Sequence, residues 1–277
     1  MYIVNKDSNL VDFLRDVGIA KNKIKTYVKL GFVSVNGKIV TKLPCIISKG
    51  DKIDINKKER QDVDINIIYE DDNYLVVDKE AGLLTISSGN SIKGNEDTLY
   101  RRVRYYLNKK NEYVFIVNRI DKETSGIVIF VKNQELKDKL QGSWNEIVKK
   151  RGYIAVVSGK ISNGGRIDNY LYEDKMTFSH STKTGGKRAI TNYEVIKSND
   201  KYTMLDVNIE TGRKNQIRVH MTEMHHPIVG DKKYYSKDNS LGRLMLHHYE
   251  IDLIDPITKR LVKFKSRVPL EFNKLFN

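Results

Sequence analysis

The sequence predicts an α+β protein, in which a small segment of two helices and a hairpin precedes a larger part that is rich in strands. Apolar residues recur at helical spacing in only a few short segments, most clearly over residues 8–17 and 20–30. Beyond residue 121, the chain consists mostly of strand-length apolar runs that glycines interrupt. A length of 277 residues allows one large core or two unequal ones.

The first 57 residues predict a unit of their own. The helical spacing over residues 8–17 ends at Gly18, a residue that commonly closes a helix, and residues 20–30 form a second helix. The pair Asn36-Gly37 is the strongest short signal for a tight hairpin turn, so it predicts short strands on either side. We therefore expect two helices and a hairpin in a domain of residues 1–57.

Positive charge is concentrated in this segment. The net charge of the chain is +14, and residues 1–60 contain 13 Lys and Arg against 6 Asp and Glu. Lys21, Lys25 and Lys29 recur at i, i+4 and i+8 of the second helix, where like charges repel each other unless an anion compensates them. Because binding of phosphates releases counterions, this lysine ridge predicts contact with a nucleic-acid backbone.

A charged run without apolar residues separates this segment from the rest of the chain. We place a linker at residues 58–62 and a second domain at residues 63–277. That domain opens with two strands around an acidic turn over residues 67–79, and helices are predicted over residues 97–107 and 134–148.

Several function classes are excluded by composition. A single cysteine, Cys45, rules out an intramolecular disulfide and a cysteine-based zinc cluster. The histidine spacing fits no standard metal motif, and the sequence has neither a GxGxxG nor a P-loop, so we expect no metal and no cofactor. The apolar runs are too short to span a membrane and the first residues lack the layout of a signal peptide, so we expect a cytoplasmic protein, monomeric by default.

The most informative segment is the loop at residues 117–126, which lies between apolar runs at residues 113–117 and 127–131. Read alone, Asp121 would most often be a turn-forming residue. The whole segment, however, resembles the active-site motif of the RluA-type RNA pseudouridine synthases, which reads His-Arg-Leu-Asp, two variable residues, and Thr-Ser-Gly. The matching residues are Arg119, Asp121, Thr124, Ser125 and Gly126, while Asn118 replaces the family's His and Ile120 its Leu.

Further segments resemble the same family. Tyr153, which read alone is a core or strand aromatic, occupies the family's Arg-x-Tyr-x-Ala-x-Val setting. Residues 211–220 follow Thr-Gly-Arg-x-His-Gln-Ile-Arg-Val-His, with Asn215 in place of the first His and Arg218 as the second Arg. Glu80 replaces the Pro of a Lys-Pro-x-Gly sequence. The other matching segments are residues 225–231 and 243–248.

The resemblance spans nearly the whole chain and implies its architecture. Residues 8–57 resemble the S4 RNA-binding domain, through the basic second helix and the Asn-Gly turn. The family's catalytic domain is a large mixed, mainly antiparallel β-sheet with flanking helices, and we expect that sheet in residues 63–277.

The resemblance also implies an isomerase that converts specific uridines of structured RNA to pseudouridine, by glycosidic bond cleavage, rotation of the base and formation of a C5–C1′ bond. Asp121 would be the catalytic carboxylate, as nucleophile or as base. Arg218 would orient it and pair with its charge, and Tyr153 would stack on the flipped uracil and could help to remove the C5 proton. Arg119 would fill the gap that the flipped base leaves. Phosphate contacts are expected from Arg213, Lys214 and the lysine ridge, and a loop-shaping role from Thr124, Ser125 and Gly126.

The sequence leaves alternatives open. Large-subunit ribosomal RNA is the favoured substrate and transfer RNA the alternative, because members of this family act on both. A catalytically silent RNA-binding or ribosome-assembly factor on the same fold is a second reading. A glycosidase would need a second acid near Asp121, and Glu123 is the only close candidate.

Overall fold

The computed structural model describes residues 1–29, 32–40, 42–55, 65–87, 97–108, 110, 112–174, 176, 178–182, 184–234, 238 and 241–276. Contacts between residues divide the chain into two compact units. We call them the N-terminal unit (Met1–Asp64 with Ser87–Asp97) and the large unit (Ile65–Ile86 with Thr98–Asn277). The predicted linker at residues 58–62 lies outside the described residues.

The N-terminal unit contains both predicted helices and the predicted hairpin. The first helix begins after Asn9, whose side chain accepts a hydrogen bond of 2.9 Å from the backbone N–H of Val11. The elements are β1 (Tyr2–Ile3), β2 (Ser8–Asn9), α1 (Leu10–Asp16), α2 (Lys21–Lys29), β3 (Val33–Val35), β4 (Lys38–Ile39), β5 (Ile46–Ile47) and β6 (Lys52–Ile55).

The apolar face of each helix packs against a small antiparallel sheet with the strand order β1-β6-β3-β4. Asn36 and Gly37, between β3 and β4, have φ values of 51° and 78°, the left-handed conformation that a two-residue hairpin turn requires. The buried core consists of Val4, Leu10, Leu14, Ile24, Val28, Val33, Ile47 and Ile53.

The large unit is built on one mixed sheet of eleven strands. Its elements are β7 (Asn66–Glu70), β8 (Tyr74–Lys79), α3 (Leu99–Asn108), β9 (Phe115–Ile116), β10 (Ser125–Val131), α4 (Gln134–Gly142), α5 (Trp144–Ile147), β11 (Val148–Ser158), β12 (Gly165–Glu173), β13 (Ser179–Thr182), β14 (Lys187–Ser198), β15 (Tyr202–Ile209), α6 (Gln216–Glu223), β16 (Leu246–Ile254), β17 (Leu261–Lys265) and a 3-10 helix (Leu270–Phe276). The single helix predicted over residues 134–148 was wrong, because Ser143 leaves the helical conformation and separates α4 from α5.

The strand order is β13-β12-β14-β15-β11-β16-β10-β8-β7, with β17 paired to β16 and β9 paired to β10. Among the described strands, only β10 and β16 pair in parallel, and the other pairs are antiparallel. The prediction of an α+β protein with a large mixed, mainly antiparallel sheet is therefore confirmed.

Strand β10 is an interior strand of this sheet, between β16 and β8, and every one of its residues is buried. On one face, Val128 and Phe130 pack against α3, and on the other, Ile127 and Ile129 pack against α4. A strand that is covered on both faces reads as a continuous apolar run, as residues 127–131 do. The loop that carries Asp121 therefore precedes one of the most deeply buried segments of the unit.

One histidine of the large unit, His220, has protein side chains as partners at both ring nitrogens. The ring nitrogens of His220 each lie 2.9 Å from a side-chain oxygen, one from Thr191 and one from Asn169. Within the described residues, no group of three or more His, Cys, Asp or Glu side chains is placed to hold a metal ion. In the same part of the chain, no helix has both the length and the apolarity needed to cross a membrane.

Candidate active site

The loop that carries Asp121 is anchored by a buried lysine. Lys79, the last residue of β8, is 1% exposed, and burial lowers the pKa of its ammonium group to about 7. The ammonium donates hydrogen bonds of 2.7–2.9 Å to the backbone carbonyls of Glu80, Leu83 and Lys122. Because Lys122 follows Asp121 directly, Lys79 holds the loop in place next to Asp121.

Asn118 connects the segment before Asp121 to strand β10. Its amide oxygen accepts a hydrogen bond of 2.7 Å from the backbone N–H of Ile129, and its amide nitrogen donates one of 3.4 Å to the carbonyl of Ile127. Asn118, which replaces the family's His, therefore forms hydrogen bonds with backbone groups of β10, as a residue of a paired strand would.

The start of β10 is fixed to β16 by Ser125. The Ser125 hydroxyl accepts a hydrogen bond of 2.6 Å from Nη2 of Arg243, and it is also hydrogen-bonded to Nδ1 of His247, 2.8 Å away. The backbone N–H of Thr124 donates to the carbonyl of Asp121 at 3.2 Å and closes the turn before the strand.

The parallel strands β10 and β16 lie very close together at Gly126. Its φ is 116°, and a Cβ atom added to it would lie 2.2 Å from the carbonyl oxygen of His248. Both the conformation and the contact exclude an L side chain, so a glycine is required at this position.

We expect Gly126→Ala to destabilise the protein by about 3 kcal/mol or more, because the new methyl group adds backbone strain and forces β10 and β16 apart. Urea unfolding of the purified variant measures the change in the free energy of unfolding. Gly142→Ala is the matched control, since Gly142 ends α4 with no atom within 4 Å of the added Cβ. Equal stability of the two variants would contradict the required close approach.

Arg218 is a buried charged side chain with several hydrogen-bond partners. It lies on α6 and is 5% exposed. Its Nε atom donates a hydrogen bond to one carboxylate oxygen of Asp231 and its Nη2 atom donates one to the other, both at 2.7 Å. Its Nη1 atom lies 3.7 Å from a carboxylate oxygen of Asp121 and 3.1 Å from the amide oxygen of Asn215. The principal partner of Arg218 is therefore Asp231, and Asp121 is a second, longer contact.

Asp231 was missed by the sequence reasoning. It is 1% exposed, and one of its oxygens also accepts hydrogen bonds of 3.0 Å from the backbone N–H groups of Lys233 and Tyr234. A carboxylate that accepts four hydrogen bonds is held rigidly. The available signal was an acid directly after the apolar Ile228-Val229 pair and a glycine, in a segment that already resembled the family.

Asp121 itself remains accessible. Its side chain is 31% exposed at the mouth of the site. Burial of much of its surroundings raises the pKa of the Asp121 carboxyl group, and the positive charges of Arg218 and Lys233 oppose that change. The site thus offers an oriented carboxylate that is neither fully neutralised nor fully solvated.

Tyr153 lies on β11 and is 9% exposed. Its ring stacks on the imidazole of His248, with 4.5 Å between the ring centroids and 16° between the planes. Nδ1 of His248 donates to the carbonyl of Ile127 at 2.9 Å, and burial lowers the pKa of this histidine to about 4, so the ring is neutral. Burial raises the pKa of the Tyr153 phenol, and the negative charge of Asp121 adds to that rise.

The predicted RNA-binding residues of the large unit, Arg119, Arg213 and Lys214, are exposed. Arg119 forms no hydrogen bond or ion pair with another described residue. Lys214 pairs with Glu173, and Nε of Arg213 donates to the carbonyl of Arg188 at 2.8 Å. Arg119 is therefore available to a ligand, whereas Lys214 would have to break its ion pair with Glu173 before it could bind a phosphate.

The lysine ridge belongs to the N-terminal unit. Lys21 and Lys25 are exposed on α2 and pair with no acidic residue in the described part of the chain. Lys29 closes α2, and its side chain lies outside the described residues.

Comparison with known proteins identifies the class of this enzyme as an isomerase that acts on RNA. Residues 73–223, more than half of the chain, match the family model described as RNA pseudouridylate synthase. The chain therefore belongs to the RNA pseudouridylate synthase family, which confirms the resemblance that its sequence motifs carried.

The most similar relatives cover most of the chain. Ribosomal large subunit pseudouridine synthase D of Borreliella burgdorferi is 33% identical over 275 residues, which are 91% of this chain and 83% of the relative. An uncharacterized RNA pseudouridine synthase of Bacillus subtilis is 30% identical over 246 residues, 83% of this chain and 80% of the relative. The solved structure of human RNA pseudouridylate synthase domain containing 1 has a TM-score of 0.62 at 19% identity, covering 76% of this chain and 86% of that one, and shows the same fold.

Proposed function

We propose that this pseudouridine synthase modifies specific uridines of large-subunit ribosomal RNA and uses Asp121 as its catalytic carboxylate. The observation that carries the role of Asp121 is its exposed carboxylate, 3.7 Å from an arginine that a buried aspartate holds in place. The choice of RNA is supported by relatives named as ribosomal large subunit pseudouridine synthases, one of which is 33% identical. Transfer RNA is the alternative substrate.

The reaction needs a carboxylate at the sugar. The carboxylate of Asp121 attacks C1′ of the target ribose or takes a proton from C2′, and both steps require its ionised form. Arg218 favours that form through its positive charge and limits the rotamers of the carboxylate. Separation of the uracil from C1′ lets the base turn, so that C5 can replace N1 at the sugar.

Tyr153 is proposed to receive the extruded base. A base inside folded RNA must leave its stack before it can react, and an aromatic ring provides a new stacking partner. His248 covers one side of the Tyr153 ring and fixes its plane. Burial raises the pKa of the Tyr153 phenol, so this group keeps its proton at neutral pH and can donate it to a hydrogen bond with the base.

RNA affinity is proposed to come from both units. Arg119 is exposed beside the loop of Asp121, where its planar cation can stack into the gap that the flipped base leaves. Arg213 and Lys214 would contact phosphates at the start of α6. We further propose that residues 1–57 form an S4 RNA-binding domain and residues 63–277 the catalytic domain, since two helices, a hairpin and a basic α2 precede the large sheet.

The proposal is tested by tritium release from RNA that carries C5-labelled uridine, because formation of the C5–C1′ bond displaces the hydrogen at C5. We expect release from ribosomal RNA and none from transfer RNA. Release from transfer RNA alone would overturn the choice of substrate but not the role of the site. Tight binding to ribosomal RNA without release from either RNA would favour the catalytically silent RNA-binding factor.

A further inference from the structure

Three side chains lie close to the guanidinium group of Arg218. Asp231 takes the Nε and Nη2 donors at 2.7 Å each. The remaining nitrogen, Nη1, lies 3.1 Å from the amide oxygen of Asn215 and 3.7 Å from the nearest oxygen of Asp121. Because 3.7 Å is too long for a hydrogen bond, Nη1 donates to Asn215 and not to the proposed catalytic carboxylate.

The orientation of the Asn215 amide follows from this contact. A guanidinium nitrogen can only donate, so the atom of Asn215 that faces Nη1 must be the oxygen. The amide nitrogen of Asn215 is then left buried without a hydrogen-bond partner among the described residues. An unpaired buried donor destabilises a protein, so this arrangement is not explained by stability.

The backbone of Asn215 is also unusual. Its φ is 55°, in the left-handed region, and it occupies the position just before α6. Asn and Gly adopt this conformation more readily than other residues. Asn215 thus fits the backbone, and its short side chain ends beside Nη1 of Arg218.

We infer that Asn215 is a positioning residue that holds Nη1 of Arg218 away from the carboxylate of Asp121 in the free enzyme. The inference deepens the proposed function, since its meaning for catalysis rests on Asp121 as the reactive group. A carboxylate that feels the charge of an arginine without accepting its hydrogen bond keeps more of its basicity and nucleophilicity.

The charged and titratable groups around Asp121 come from several elements. Lys79 of β8, Tyr153 of β11 and Arg218 of α6 act on it, together with Asp231 and Lys233 after α6. Substitution of Asn215 changes none of these groups. A change in the titration of Asp121 would therefore report the new position of Nη1, or a new charge at residue 215.

Two variants of Asn215 should move this titration in opposite directions. Asn215→Gly keeps the left-handed backbone and removes the amide oxygen that holds Nη1 in its present position. Nη1 can then move within hydrogen-bond distance of Asp121, and the pKa of the Asp121 carboxyl group should fall. Asn215→Asp competes more strongly for Nη1 and adds a negative charge, so the pKa of Asp121 should rise. Carbon-13 NMR titration of the labelled aspartate carboxyl groups in the RNA-free protein measures both shifts, with Asp121→Asn to assign the signal.

The two Asn215 variants should also shift the pH dependence of activity in opposite directions. The acid limb of the pH–rate profile for tritium release should move to lower pH in Asn215→Gly and to higher pH in Asn215→Asp. His225→Gly is the matched control, because His225 also has a left-handed backbone, with a φ of 63°, at the other end of α6. This control should titrate as the wild type does.

The outcomes separate this inference from the proposed function. If the Asp121 signal titrates identically in the wild type and in both Asn215 variants, the inference is wrong even when the wild type releases tritium. Shifts of the same sign in both variants would also overturn it. If the wild type releases no tritium, the proposed function fails, and the NMR titration of the free protein still decides the role of Asn215.

Discussion

Replacing Asp121 with Asn is expected to lower the rate of pseudouridine formation by on the order of 10⁴-fold or more. The amide keeps the shape of the side chain but carries no negative charge, so it can neither attack C1′ nor take a proton from C2′. Tritium release under single-turnover conditions measures the loss, and filter binding to the same RNA shows whether affinity is retained. Activity within tenfold of the wild type would exclude Asp121 as the catalytic group.

The fold should survive this substitution. Burial raises the pKa of Asp121, so the folded state binds the proton more tightly than the unfolded state does. The ionised carboxylate therefore lowers stability at pH values above its folded-state pKa, and Asp121→Asn removes that contribution. Because Arg218 keeps its two bonds to Asp231, no buried charge is left unpaired. Thermal unfolding at neutral pH should show a Tm equal to or above that of the wild type.

Glu123→Gln is the matched control for the charge change. Glu123 is an exposed acid two residues from Asp121 in the same loop. Under the proposed mechanism its substitution leaves turnover near the wild-type level. A loss as large as that of Asp121→Asn would instead favour paired-carboxylate chemistry of the glycosidase kind.

Much of the secondary structure could be predicted because its causes are local. The helices α1 and α2 follow from apolar residues at helical spacing, and the turn at Asn36-Gly37 follows from two residues that tolerate positive φ. The buried strand β10 follows from a continuous apolar run. The parallel pairing of Gly126 with His248 could not be predicted in this way, because it joins segments that are more than a hundred residues apart.

In the candidate site, too, the sequence predicts local patterns better than contacts between distant segments. The motif around Asp121 and the segment around Arg218 were recognised from the sequence, since each is a contiguous pattern. The family resemblance predicted that Arg218 pairs with Asp121, whereas its guanidinium group forms its two shortest hydrogen bonds with Asp231. Which of two nearby carboxylates an arginine prefers depends on burial and on the direction of its donors, and spacing along the chain encodes neither.

Replacing Arg218 with Met is expected to affect stability and catalysis together. It leaves the carboxylate of Asp231 buried without its ionic partner, which should cost about 3–5 kcal/mol in the free energy of unfolding. It also removes the charge that opposes the raised pKa of Asp121, so the acid limb of the pH–rate profile should move to higher pH. The rate at its plateau should fall on the order of 10²- to 10³-fold. Urea unfolding and tritium release over a pH series measure these effects.

The surface arginine Arg166 provides the control, since its side chain is 46% exposed and pairs with the exposed Glu210 and, at a longer distance, with Asp168. Arg166→Met should lower the free energy of unfolding by less than about 1 kcal/mol, as the loss of an exposed ion pair usually does.

The double variant Arg218→Met with Asp231→Asn separates the role of Arg218 in stability from its role in catalysis. An amide at residue 231 still accepts the backbone N–H groups of Lys233 and Tyr234 but carries no charge, so much of the lost stability should return. Activity should stay low, because neither substitution restores a cation beside Asp121. Recovery of activity along with stability would mean that Arg218 serves only the fold.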